Sequence, residues 1–130
     1  PHQDSAYWTT IDPPNLVICW MALDDATEDN GCMRFIPGSH KLGVIEHKRL
    51  EDFRVEDEKV DYQSEVSVPL KAGGCSFHHS LALHRTDANR SDRRRIGLTV
   101  AYMSAESKYI GDGEQPDYEL VAGRSFPGCV

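Results

Sequence analysis

The chain has 130 residues, enough for one domain with a substantial core and too few for two. Its 14 basic and 21 acidic residues leave a formal charge of −7, a field that repels polyanions and argues against a nucleic-acid binder or an anionic-membrane binder. Hydrophobic residues make up 39% and charged residues 27%, a globular balance that excludes a disordered chain, and no apolar run is long enough to span a bilayer.

The chain opens Pro1-His2-Gln3-Asp4 with no Met and no lead-in, as a piece cut from something longer would, and no signal-peptide pattern precedes it. Residues 15–23 (NLVICWMAL) form a continuous apolar run after Asp12-Pro13-Pro14, which predicts a buried strand. Asn30-Gly31 marks a turn, and residues 32–36 predict a second strand, halted by Pro37-Gly38-Ser39 and paired antiparallel with the first. Residues 46–65 are densely charged. There Leu50 and Phe53 either anchor a short helix over a pocket or belong to a solvated loop.

Val66 and Val68 alternate with polar neighbours, Ala72-Gly73-Gly74 turns the chain, and residues 75–77 and 81–84 predict two further short strands. Residues 95–103 give the clearest period of two. Ile96, Leu98, Val100 and Tyr102 share one face; Arg95, Gly97, Thr99, Ala101 and Met103 share the other, which is mostly small. Many short strands with Gly, Pro and Asn turns point to a mainly β sandwich or barrel, the class that includes jelly rolls and cupins. Cys19, Cys32, Cys75 and Cys129 are too dispersed for paired zinc spacing, and a reducing, cytoplasmic setting is expected; disulfides would require a secreted chain.

Chemistry concentrates at a few positions. His2 and Asp4 stand at i and i+2, so on a strand both would point to one side and could share an ion. An imidazole with a carboxylate is a donor set that suits iron or a similar divalent metal. His84, on a later strand, would complete a two-histidine, one-carboxylate triad that leaves coordination positions open. His78, His79 and His40 compete for that role, although the adjacent His78 and His79 would face opposite ways on a strand. Arg93-Arg94-Arg95 reads mainly as a solvated turn. An arginine at the start of the small-faced strand could still grip a carboxylate through two parallel hydrogen bonds.

His2-Gln3-Asp4, Trp20, Asn30-Gly31-Cys32, the run Ile36-Pro37-Gly38-Ser39-His40-Lys41, Phe77-His78-His79, and His84 with Asn89 and Arg95 together resemble the phytanoyl-CoA dioxygenase (PhyH-like) family of Fe(II)/2-oxoglutarate-dependent oxygenases. The resemblance runs from Pro1 to about Tyr102. It implies a mainly β double-stranded β-helix, a cupin-like jelly roll, with residues 1–130 as the C-terminal part of a single domain whose N-terminal portion is missing. It also implies His2, Asp4 and His84 as iron ligands, Arg95 and Thr86 on the distal carboxylate of 2-oxoglutarate, and Trp20 against the cosubstrate.

The implied activity is hydroxylation of an unidentified small organic molecule with Fe(II), 2-oxoglutarate and O2, releasing succinate and CO2. Related halogenases carry a small residue in place of the carboxylate, and Asp4 argues against that outcome. Three rivals share parts of the signal: a non-catalytic metal- or ligand-binding jelly roll, an interaction domain in which the His-x-Asp spacing is accidental, and a three-histidine cupin that would leave Arg95 without a role. A small-molecule partner is expected, with no nucleic acid and no membrane. No feature of the sequence specifies an oligomeric state.

Overall fold

Short antiparallel strands dominate residues 1–49 and 53–130, the part of the chain that the computed structural model describes. In chain order they are β1 (Ile11–Asp12), β2 (Leu16–Ala22), β3 (Met33–Phe35), β4 (Lys48–Arg49), β5 (Phe53–Arg54), β6 (Val66–Val68), β7 (Cys75–His79), β8 (His84–Thr86), β9 (Gly97–Met103) and β10 (Lys108–Tyr109). Single 3-10 turns at Asp4–Ala6, Ser39–Leu42, Asp57–Lys59 and Tyr62–Ser64 supply the helical content. Among the described residues no helix is long and apolar enough to cross a membrane.

Two sheets of three strands, in the orders β7-β2-β9 and β6-β3-β8, form the jelly roll, with the pairs β1-β10 and β4-β5 at its margins. The apolar run that predicted a buried strand is β2, the centre of the first sheet, where neighbours on both sides satisfy its backbone. Its inner side chains Trp20 and Ala22 meet Cys32 and Met33, with Phe35 and Leu70 packed against them, so the two sheets share a core. A second cluster of Ile36, Val55, Val60 and Leu83 closes one end of the roll, and a third of Ile11, Leu16 and Ile18 closes another.

The structure corrects one expected pairing. β2 and β3 are not partners but belong to different sheets. The segment between them is a crossing rather than a hairpin turn: buried Asn30 accepts from the Thr27 amide (2.7 Å) and donates to the Asp25 carbonyl (2.8 Å), closing a loop across the roll. Gly31 follows at φ +88°, where a Cβ would lie 2.6 Å from the Asp87 carbonyl oxygen. A loop held in this way delivers β3 to β6 and β8 instead of folding it back on β2.

Residues 53–65 carry no helix beyond two 3-10 turns, while Leu50 lies outside the described residues. Phe53 does border a cleft, but from a strand, with its ring edge-on to Tyr7 at 5.0 Å. Cys19 and Cys32 are buried like small hydrophobes, Cys75 is exposed, and all four thiols are unpaired.

The alternation of small and apolar residues along β9 is the one in the sequence pattern, and it is the small face that turns toward the roll. Gly97, Thr99, Ala101 and Met103 stand opposite Ala22, Trp20, Ile18 and Leu16 on the inner face, and Leu98, Val100 and Tyr102 project from the outer face with substantial exposure. The small side is the side toward the roll because the Trp20 indole occupies that space: a Cβ on Gly97 would lie 2.3 Å from Trp20 Cζ2. Gly97→Ala is therefore expected to lower stability by about 1–3 kcal/mol through overpacking, read as a lower denaturation midpoint. Ala101→Gly, at an exposed inner position of the same strand, serves as the comparison.

Candidate metal centre

β8 has β3 on one side, and its other side is taken by the start of the chain. The His2 amide donates to the His84 carbonyl and the His84 amide to the His2 carbonyl, both at 3.0 Å. Residues directly opposite in an antiparallel pair project to the same face, so this exchange sets the two imidazoles side by side with centroids 4.3 Å apart.

Asp4 reaches the same point by a different route from the expected one. The chain leaves the strand after His2, and Asp4 opens the 3-10 turn instead of continuing the alternation. Its Oδ1 lies 3.7 Å from His2 Nε2 and 3.6 Å from His84 Nε2. One donor atom from each of the three residues falls within 4.8 Å of the others.

Gln3, the unremarked residue between them, holds this turn in place. It is fully buried, and its amide nitrogen donates to the Gly43 carbonyl (2.8 Å) and the Leu81 carbonyl (2.7 Å) while its oxygen accepts from the Ile45 amide (2.8 Å). Its backbone amide donates to His47 Nε2 at 2.8 Å, leaving the proton of His47 on Nδ1, which donates to the Ile45 carbonyl. Sequence reasoning missed Gln3 and His47. A polar side chain inside an otherwise functional tripeptide was the only signal.

The protonation pattern favours a cation. Burial opposes the charge of Asp4, but the adjacent His2, the hydrogen bond from His78 and the nearby His84 outweigh it and hold the carboxyl well below its ordinary range. Burial pushes the His84 imidazole down to about 4, so the ring is neutral near pH 7. Its Nδ1 lies 3.0 Å from the Ala82 carbonyl and donates to it, which leaves a bare Nε2 facing an ionised Asp4 Oδ1. Two lone pairs opposed without a proton between them are stabilised by a divalent ion, and the nitrogen and oxygen donors suit iron. The residues present therefore fit the implied metal.

The competing histidines separate as the strand geometry requires. His78 faces inward, with its Nε2 3.2 Å from Asp4 Oδ2, whereas exposed His40 stacks on His79 with centroids 5.8 Å apart, away from the cluster. Arg93 pairs with Asp29 at 2.8 Å and Arg94 with Asp24 at 3.0 Å, both at the surface. Arg95 instead lies over the Trp20 ring, 5.6 Å from its centroid, and no ion pair engages it among the described residues. Thr86 stands two residues beyond His84 on β8, opposite Met33. Thr86 and His2 both line a cleft of about 750 Å³ walled by Tyr7, Phe53, Tyr62 and Arg85.

Residues 1–97 match the family model for phytanoyl-CoA dioxygenase (PhyH). The chain belongs to the phytanoyl-CoA dioxygenase family. The matched span contains His2, Asp4, Trp20, His84, Thr86 and Arg95. Phytanoyl-CoA dioxygenase domain-containing protein 1 of Danio rerio is 35% identical over 82% of this chain and 40% of its own length. A protein of Stutzerimonas stutzeri named "Probable alpha-ketoglutarate-dependent hypophosphite dioxygenase" is 32% identical over 99% of this chain and 49% of its own. Among solved structures, the non-heme monooxygenase ThoJ in its apo form superposes with a TM-score of 0.82 at 30% identity, over 99% of this chain and 48% of that one. The chain thus spans about half the length of the proteins it matches.

Because Gln3 carries the ligand turn, Gln3→Leu keeps the volume but strands buried polar partners at Gly43, Ile45 and Leu81. A loss of about 2–4 kcal/mol is expected by chemical denaturation. Gln63→Leu, at an exposed position, should leave the midpoint within about 0.5 kcal/mol of the parent.

Proposed function

We propose that this chain carries the iron and cosubstrate side of an Fe(II)/2-oxoglutarate-dependent dioxygenase that hydroxylates a small organic substrate and releases succinate and CO2. The observation that carries the reading is the convergence of His2 Nε2, His84 Nε2 and Asp4 Oδ1 from the two ends of the matched segment. His2, Asp4 and His84 would hold Fe(II). Two imidazoles and one carboxylate would leave the ion open to cosubstrate and oxygen. Iron with 2-oxoglutarate and O2 supplies the oxidising power: one oxygen atom enters a substrate C–H bond and the other enters the carboxylate of succinate as CO2 leaves.

The rest of the work belongs to this chain's own side chains. Arg95, seated on Trp20 and free of any described carboxylate, presents a guanidinium fork to the distal carboxylate of 2-oxoglutarate, with the Thr86 hydroxyl as a second donor. The reading is supported by the pairing of Arg93 and Arg94 with surface acids, which leaves Arg95 as the available member of the run. Trp20 excludes water from that side, being nearly buried against Gly97. The aromatic cleft that opens on His2 is where a substrate C–H bond could be held near the metal. Four unpaired thiols are consistent with a reducing, cytoplasmic setting.

The test supplies full-length protein with Fe(II), 2-oxoglutarate, O2 and a panel of small organic acids and esters, and measures succinate. Substrate-dependent succinate release is expected; metal binding with none from any member favours the non-catalytic alternative. Asp4→Ala should abolish release, and normal turnover in that variant would refute the triad. Arg95→Leu should raise the 2-oxoglutarate KM by about 10- to 100-fold, the loss of a charge-assisted pair, with a smaller change in kcat. An unchanged KM would reassign the clamp.

A further inference from the structure

His78 is the buried imidazole that no ligand role uses. It lies on β7 opposite Ile18, one of the most deeply buried side chains, so its own side chain points into the roll and is only 6% exposed. The ring packs against Phe35 and His84 with centroids at 4.8 and 4.9 Å. Its Nε2 lies 3.2 Å from Asp4 Oδ2, and its Nδ1 is buried with no hydrogen-bond partner among the described residues.

These facts fix the direction of the bond. An ionised carboxylate has no proton to give, so the nitrogen facing Asp4 must be the donor. A buried nitrogen without a partner is unfavourable, and the next residue offers a contrast: the ring of His79, on the opposite face, accepts from the Leu81 amide at 3.1 Å. The two oxygens of Asp4 are thus divided. Oδ1 faces His2 and His84, and Oδ2 faces His78.

We infer that His78 is a positioning residue that holds Asp4 Oδ2 through its Nε2–H, so that Oδ1 alone is presented to the metal between His2 and His84. This rests on the triad proposed above and goes beyond it. Asp4 sits in a short 3-10 turn, tied by the Tyr7 amide donating to its carbonyl at 2.9 Å, and its backbone leaves the carboxylate free to rotate. With one oxygen held, the carboxylate remains a one-oxygen ligand; released, it could swing away or offer both oxygens and occupy a position that cosubstrate needs.

The experiment measures Co(II) binding to full-length, metal-free protein by its visible absorption, without turnover. His78→Phe, which keeps a ring between Phe35 and His84, should weaken Co(II) binding about 10- to 100-fold and alter the spectrum, while the metal-free melting temperature stays near the parent value. His78→Gln, whose amide nitrogen can replace Nε2 as donor, should restore affinity to within about threefold. If Phe is not accommodated, His78→Leu against His78→Gln repeats the comparison with a smaller side chain. Parent-like affinity and spectrum in the apolar variant would overturn the inference, as would failure of Gln to rescue. Asp4→Ala separates the two readings: if it also binds Co(II) normally, the triad itself is wrong, and if it does not, only the role of His78 falls.

Discussion

The exchange of two backbone hydrogen bonds between His2 and His84 is the constraint on which the site depends. Histidines far apart in the chain become directly opposed, and the pairing rule of an antiparallel ladder turns both rings to one face without any side-chain contact being needed to aim them. The next residue then secures the result. Gln3 ties the turn to Gly43, Ile45 and Leu81, so the carboxylate that follows is delivered to a fixed point. A cluster built this way has one member on a strand inside the roll and two on a segment docked to its edge.

Around that point the electrostatics are asymmetric. Asp4 is flanked by the imidazoles of His2, His78 and His84, and the last two present different groups to it. His84 gives its Nδ1 proton to the Ala82 carbonyl and keeps a bare nitrogen toward Asp4, whereas His78 turns an N–H toward the other carboxylate oxygen. The bare face suits a cation, and the protonated contact suits an orienting bond. Burial makes both effects stronger, since it lowers the basicity of His84 and removes competing water.

The second sheet element of importance is the steric match between β2 and β9. Trp20, paired with Thr99, lays its indole over Gly97, one pair along the strand, where no side chain stands in its way, and Arg95, the next residue along that face, lies over the same indole. Small residues on one side of a strand with Ile96, Leu98, Val100 and Tyr102 on the other would suggest that the apolar side faces the interior. The reverse holds here: the small face accommodates a large ring from the neighbouring strand, and the apolar face lies outward.

Residue identity alone fixed much of this protein. Turn residues and short apolar runs specified a mainly β sandwich or barrel, the residue types of His2, Asp4 and His84 specified a nitrogen and oxygen donor set, and a resemblance spread over many motifs pointed to the jelly roll and to the family now matched over residues 1–97. Those properties are local or additive, so one-dimensional patterns contain them. Tertiary structure decided what depends on closure: which sheet receives β3, that Asp4 stands on a 3-10 turn and not on a strand, that Arg95 lies over Trp20 while Arg93 and Arg94 pair with surface acids, and which of two adjacent histidines meets Asp4. Loop crossings and hydrogen-bond partners distant in sequence set those outcomes, and no period or spacing along the chain records which partner a side chain will find.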